Sequence, residues 1–253
     1  ILMEKSFREI KVRDLQRVID YSGKNIATLK KIRILFNQLY AYAIQNDICN
    51  KDYSKYVDLS KKRDQNPNKF DRQPFSKEEI DLFWSLSDDP YYQIILILIY
   101  TGVRISELLD LKKENVHLDE QYFDVIASKT DAGIRKVPIA TRILPFFRQW
   151  YESSKIDYVF HTPDQQQFLY RNYYDSYFCA LMLRHGLNQT PHCCRHTCVS
   201  LLAEAQVSPT FQKLIIGHKG AMSLTESVYT HIDMKQLIQA VDSMYYPTER
   251  KKE

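Results

Sequence analysis

Fifteen consecutive residues, SKKRDQNPNKFDRQP from Ser60 to Pro74, hold one large apolar side chain, Phe70, too little to build a core. The stretch is polar and basic, holds two prolines and has no apolar period, which is the composition of a linker. It splits the chain into a short N-terminal piece and a larger C-terminal piece, each of which must bury its own apolar surface. The predicted boundaries are residues 1–64, a basic linker over 65–74, and residues 75–253 with a tail helix from about 234. A flexible basic linker between two globular bodies suits a protein that closes around something.

The first piece reads as helical. Ile10 to Tyr21 has Leu15, Val18 and Ile19 near helical spacing, and Ser22-Gly23 stops it. A longer helix is expected from about Ala27 to Asn46, with Leu29, Ile32, Phe36, Leu39 and Ala43 on one stripe. Tyr40 and Tyr42 are expected to pack rather than to stack on bases. Lys24, Lys30, Lys31 and Arg33 cluster at the start of this helix, free to face outward.

Charge sharpens the division. Residues 1–72 carry 16 lysines and arginines against nine acids, whereas residues 73–253 carry 19 against 22. The net charge of +4 therefore hides a basic N-terminal quarter. A concentrated positive field favours a polyanion such as nucleic acid, although a solvated charged surface would look the same. The longest apolar run, Ile94 to Tyr100, is too short to span a bilayer. No signal peptide is visible, and five cysteines, two of them adjacent, argue for a reducing compartment over a disulfide framework. The chain does not begin with Met and reads as trimmed at its N-terminus.

The second piece opens on a capping box, Ser76 with Glu79, starting a helix to about Leu86. Tyr91 to Tyr100 is apolar all round and is expected to be a buried helix. Thr101-Gly102-Val103 breaks it, and Ile105 to Leu111 resumes. Between Asn115 and Ala140 the period changes to that of short strands, VHL, YFDVIAS and IRKVPIA, with Asp131-Ala132-Gly133 as the last turn. Leu144–Tyr151, Tyr170–His185, His196–Ala205, Thr210–Ile216 and Lys235–Tyr245 are the remaining expected helices. The fold class is thus mainly α with a small antiparallel β-sheet.

HCCRHTC, His192 to Cys198, has the residue types of a metal site. No C-x-x-C pair or H-E-x-x-H exists anywhere, and one short segment rarely converges four tetrahedral ligands. The cysteines read instead as small core filler at a helix start, and no metal is expected. No phosphate-binding G-x-x-x-x-G-K-[ST] loop is present either. What remains is a set of cationic and nucleophilic residues at structural breaks: Arg104 after Gly102, Lys129 at the hairpin turn, His192 and Arg195 three apart, His218 after Gly217, and Tyr229 near the end. Singly, each has an ordinary reading as an ion pair, turn residue, cap or one tyrosine of 18.

Together, TGVRISELLDLKKENV, SKTDAGIRKVPI, HCCRHT, IIGH and TESVYTH resemble, in order and spacing, the motifs of tyrosine recombinases. These are the integrases of temperate phages and conjugative transposons and their Xer-like kin. The resemblance covers the whole chain and implies a helical, SAM-like core-type DNA-binding domain, truncated at its N-terminus, followed by the catalytic domain. It implies a site-specific recombinase of a mobile genetic element that cuts and rejoins DNA through a 3′-phosphotyrosyl intermediate and a Holliday junction, without metal, cofactor or ATP. By that resemblance Tyr229 is the nucleophile, eleven residues after His218, and Arg104 and Arg195 grip the phosphate. His192 and His218 donate hydrogen bonds to it, Lys129 protonates the leaving 5′-oxygen, and Glu107 orients Arg104. Lys24, Lys30, Lys31, Arg33, Lys61, Lys62 and Arg63 become candidate DNA contacts. Implied partners are double-stranded attachment sites, a homotetramer on synapsed DNA, and accessory directionality or DNA-bending proteins, with no membrane and a bacterial cytoplasmic, nucleoid-associated setting. The tail, with Leu237, Ile238, Val241 and Met244 on one face, folds back in a lone domain or docks on a neighbouring protomer. The alternatives are DNA relaxation like that of type IB topoisomerases, an Xer-like dimer resolvase, and a DNA-binding regulator that has lost catalysis.

Overall fold

The computed structural model describes residues 5–60, 62, 73–126, 134–217 and 233–247. It divides into two compact units, residues 1–71 and 72–253.

In the first unit, α1 (Val12–Tyr21) and α2 (Ile26–Gln45) are started by side chains that satisfy otherwise orphaned N–H groups. Asp14 accepts from the Lys11 N–H at 3.0 Å, and Asn25 accepts from the Thr28 N–H at 2.9 Å. Ile10, Leu15, Ile19, Leu29, Phe36, Tyr40, Val57 and Leu59 form the core. The stripe on α2 differs from the expected one at its middle. Leu39 is exposed and Tyr40 takes the inward place, where its hydroxyl donates to the Ile10 carbonyl at 3.2 Å. A tyrosine can be buried this way because its one polar atom finds a partner. Tyr42 is 62 % exposed, so the expectation that it packs is corrected.

The second unit is built around α4 (Pro90–Thr101), every residue of which from Tyr92 onward is buried. Asp89 caps it by accepting from the Tyr91 N–H at 2.9 Å, and Pro90 fits the first turn, where its missing N–H costs nothing. Burying the six aliphatic side chains Ile94 to Ile99 contributes roughly 9–18 kcal/mol before entropy is counted. Around it lie α3 (Lys77–Ser85), α6 (Leu144–Ser153) and α9 (Pro191–Glu204). α9 begins at Pro191 with Thr190 as its N-cap, so His192 and Arg195 open it and the stretch expected from His196 continues it.

Three short strands, β1 (Val116–His117), β2 (Tyr122–Val125) and β3 (Arg135–Pro138), form one antiparallel sheet in that order. Phe123 faces Val137 and Val125 faces Arg135. The expected turn at residues 131–133 lies outside the described residues. A short α5 (Ile105–Leu109) precedes the sheet. The region expected to be one helix from Tyr170 to His185 is α7 (Tyr170–Tyr173), a wider π-type turn over Tyr174–Phe178, and α8 (Cys179–Arg184). α10 (Pro209–Ile216) packs on β3.

The tail helix α11 (Met234–Asp242) lies on its own unit. Leu237, Ala240, Val241 and Met244 join the core. Beyond it, the Tyr246 ring stacks on Tyr100 at 4.5 Å, and Arg142 donates to the Pro247 carbonyl at 2.7 Å. Asp242 accepts both the N–H and the hydroxyl of Thr141 at 2.7 Å. In a single chain, then, the tail docks in cis. Among the described residues no helix is long and apolar enough to cross a membrane.

Candidate functional site

The site grows from the break after α4. Gly102 ends the helix in the left-handed region (φ 62°), and its N–H donates back to the Leu98 carbonyl at 3.0 Å. An ideal Cβ there would sit 2.8 Å from Cys198 Sγ and would also overlap Ile216, so both the backbone and the space require glycine. The turn delivers Arg104 to the N-cap of α5.

Glu107, one turn on, binds Arg104 twice. Its carboxylate accepts from the Arg104 backbone N–H at 3.0 Å and from Nη1 at 2.6 Å. The Glu107 side chain is 4 % exposed and that of Arg104 35 %. A second guanidinium reaches the same carboxylate: Arg135 Nη2 donates to Glu107 Oε2 at 3.1 Å. Burial pushes the Glu107 carboxyl up, but the Arg135 charge and the hydrogen bonds from both arginines outweigh it, leaving the carboxyl below its ordinary range.

Arg195 arrives from α9. Its Nη1 donates to the Gly102 carbonyl at 2.7 Å, which ties α9 to the break that carries Arg104. Its Nη2 is buried and has no partner among the described residues. Burial, followed by repulsion from Arg104 and Arg135, pulls this guanidinium down to about 10. Among the described residues, then, Arg104 and Arg135 bind the Glu107 carboxylate, and the Arg195 charge lies near enough to repel both. A cluster with net positive charge and a buried unsatisfied donor is electrostatically incomplete, and an anion would complete it.

His192 is exposed in the first turn of α9, its ring edge-on to that of His196 at 4.7 Å. A helix N-terminus favours negative charge nearby. Cys193, Cys194 and Cys198 are buried in the core. Burial raises the Cys194 thiol well above its ordinary value and pushes the Cys198 thiol up to about 12. Neutral thiols pointing into a core are packing groups, and no group of three or more His, Cys, Asp or Glu side chains able to hold a metal ion occurs among the described residues.

Arg104, Glu107 and Arg195 are therefore brought together. Lys129, His218 and Tyr229 lie outside the described residues, as do Lys61 and Arg63. Lys24, Lys30, Lys31 and Arg33 are all exposed on the first unit. Lys62 pairs with Asp20 at 2.8 Å. Arg135 escaped the sequence reading, although IRK stood within a quoted motif. The available signal was strand alternation: Lys136 points outward and Val137 inward, so Arg135 falls on the inner side.

A family model described as the phage integrase family matches residues 73–236. The chain is 25% identical over 172 residues to tyrosine recombinase XerA of Pyrococcus horikoshii, a match covering 66% of this chain and 59% of that one. It is 28% identical over 188 residues to the transposase of transposon Tn916 from Enterococcus faecalis, covering 61% of this chain and 46% of that one. The chain thus spans about half the length of these curated relatives. Among solved structures, the Tn1549 transposon integrase in complex with a circular intermediate DNA has a similar fold, with a TM-score of 0.72 at 18% identity, covering 96% of this chain and 83% of that one. A lambda integrase dimer bound to a core site gives a TM-score of 0.67 at 16% identity, covering 97% and 69%.

Proposed function

The chain belongs to the phage integrase family, and on that premise we propose that it is a site-specific DNA recombinase of a mobile element. The single observation that carries the reading is Arg195, buried near the Arg104 charge yet left with an Nη2 that has no partner among the described residues. A non-bridging phosphate oxygen is the acceptor such a donor suits, because a guanidinium fork matches phosphate geometry in a way an ammonium does not.

In the proposed reaction the Tyr229 hydroxyl attacks phosphorus in line with the 5′-oxygen. The P–O5′ bond breaks and a tyrosyl–phosphorus bond forms, so the energy of the phosphodiester is kept for rejoining. His192 takes the phenol proton, and Lys129 gives one to the leaving 5′-oxygen. Arg104 and Arg195, with His192 and His218, meet the charge that develops on the equatorial oxygens. Each such donor is worth about 3–4 kcal/mol of barrier. Glu107 keeps Arg104 aimed. Reversal with a 5′-hydroxyl from a second duplex gives strand exchange, for which we propose four chains on synapsed DNA, with accessory DNA-bending proteins setting direction. Lys24, Lys30, Lys31 and Arg33 supply backbone contacts from the first unit, and Lys61, Lys62 and Arg63 add to them. The setting is the bacterial cytoplasm, at the nucleoid.

Likeness in sequence to the Tn916 transposase, and in fold to the Tn1549 transposon integrase, supports this reading over topoisomerase-like relaxation. A suicide substrate nicked beside the cleavage position tests it. Wild-type protein is expected to form a covalent complex in the presence of a chelator, and Tyr229→Phe none. A wild type that traps nothing on its own attachment DNA would favour a regulator without catalysis.

A further inference from the structure

We infer that Arg135 is a positioning residue of the proposed phosphate site, holding Glu107 and the C-terminal end of α10 in one fixed geometry. The inference rests on the recombinase reading above. Arg135 opens β3 opposite Val125, with its side chain 7 % exposed. Burying a guanidinium is costly unless its donors are satisfied and its charge is met. Here both conditions hold through two different elements.

On one side, Nη2 donates to Glu107 Oε2 at 3.1 Å. That oxygen also accepts the Arg104 backbone N–H, while Oε1 takes Arg104 Nη1 at 2.6 Å. Glu107 is therefore a bridge held from both ends. Its rotamer cannot change without losing contacts to both arginines, so the direction of Arg104 depends on Arg135.

On the other side, Nε donates to the Ile215 carbonyl at 2.9 Å. Ile215 lies in the last turn of α10, where carbonyls lack intrahelical partners and a positive charge is favoured. The helix ends at Gly217 in the left-handed region (φ 71°). A Cβ there would lie 2.8 Å from Arg135 Cδ and 3.0 Å from Nε and Nη1, so the guanidinium stem lies directly against this glycine. The next residue in the sequence is His218, and Lys129 lies six residues before Arg135. One buried side chain thus links the carboxylate that aims Arg104 to the backbone immediately before a second proposed phosphate ligand. Lysine cannot replace it, since a single ammonium lacks the fork that reaches both acceptors.

The test compares Arg135→Lys and Arg135→Met with wild type in single-turnover cleavage of the suicide substrate at saturating DNA. DNA affinity, melting temperature and amide exchange across residues 209–217 are measured alongside. Arg135→Lys is expected to slow cleavage by about a hundredfold, the effect of misplacing reacting groups by an ångström, with affinity and melting temperature nearly unchanged. Exchange should rise at residues 213–217. Because Arg135 acts through Glu107, the double variant with Glu107→Gln should lose little more than the worse single variant. Cleavage by Arg135→Lys within about threefold of wild type, or losses that multiply in the double variant, would overturn the inference. So would a rate loss matched by equal losses of affinity and melting temperature. If Arg135→Met fails to fold, the lysine variant decides. A wild type that forms no covalent complex sinks the recombinase reading and the inference with it; a wild type that traps while Arg135→Lys cuts normally sinks only the inference.

Discussion

Gly102→Ala perturbs the point on which the whole cationic cluster turns. The backbone there has φ 62°, and an alanine in that region costs about 1–2 kcal/mol. The added Cβ would lie 2.8 Å from Cys198 Sγ and 3.1 Å from Cys198 Cβ. It would also overlap Ile216 Cδ1, but that is the end of a flexible side chain and can turn aside. Cys198 is fully buried on α9, so overpacking adds about 1–3 kcal/mol. The sum, about 2–5 kcal/mol, corresponds to a fall in melting temperature of roughly 4–20 °C for a domain of this size. Thermal unfolding by circular dichroism at matched concentration reads it directly. Cys198→Ala in the same chain removes the sulfur and should recover the steric part while leaving the backbone part, a coupling of about 1 kcal/mol or more. Cleavage should fall further than stability alone requires, because the Gly102 carbonyl anchors Arg195. A Gly102→Ala protein melting within about 2 °C of wild type, or strictly additive effects of the two substitutions, would refute the reasoning.

Two further outcomes follow from the same contacts. Glu107 has a depressed folded-state pKa, so its contribution is fully present above the unfolded value of about 4.3 and is lost as pH falls through the folded value. Glu107→Gln should therefore cost about 3 kcal/mol at pH 7 by leaving buried Arg135 uncompensated, and should flatten the decline of urea stability below about pH 4.3; parallel curves for the two proteins would count against the shared carboxylate. Truncation after Asp233 removes Leu237, Ala240, Val241 and Met244 from the core, so it should lower the melting temperature of the isolated chain; an unchanged melting curve would mean that the tail is not held in cis in solution.

Much of this was readable because it is local. Asp89-Pro90 and Ser76 with Glu79 announce helix starts through caps that act within four residues. The strands show in the switch from helical to alternating period, and the break at Gly102 shows in the residue itself. The features that escaped depend on distant neighbours. Whether Leu39 or Tyr40 points inward is decided by the Ile10 carbonyl, thirty residues away. At the site, Arg104 and Glu107 sit one turn apart and could be paired by eye. Arg195 and Gly102 are separated by 93 residues, and Arg135 and Ile215 by 80, so no spacing rule joins them. An arginine at the inward position of a short strand was visible, but its purpose depends on a carboxylate and a helix end that only folding brings near.

The central claim is that positively charged side chains prepare a phosphate for attack by one phenol near the end of the chain. The most direct measurement is tryptic mass mapping of the covalent DNA complex, formed with a chelator present and trimmed by nuclease. The account predicts a nucleotide adduct on the peptide Gly220–Lys235, whose only tyrosine is Tyr229. An adduct on any other tyrosine, Tyr245 or Tyr246 included, or a complex that forms only when divalent ions are supplied, would contradict it.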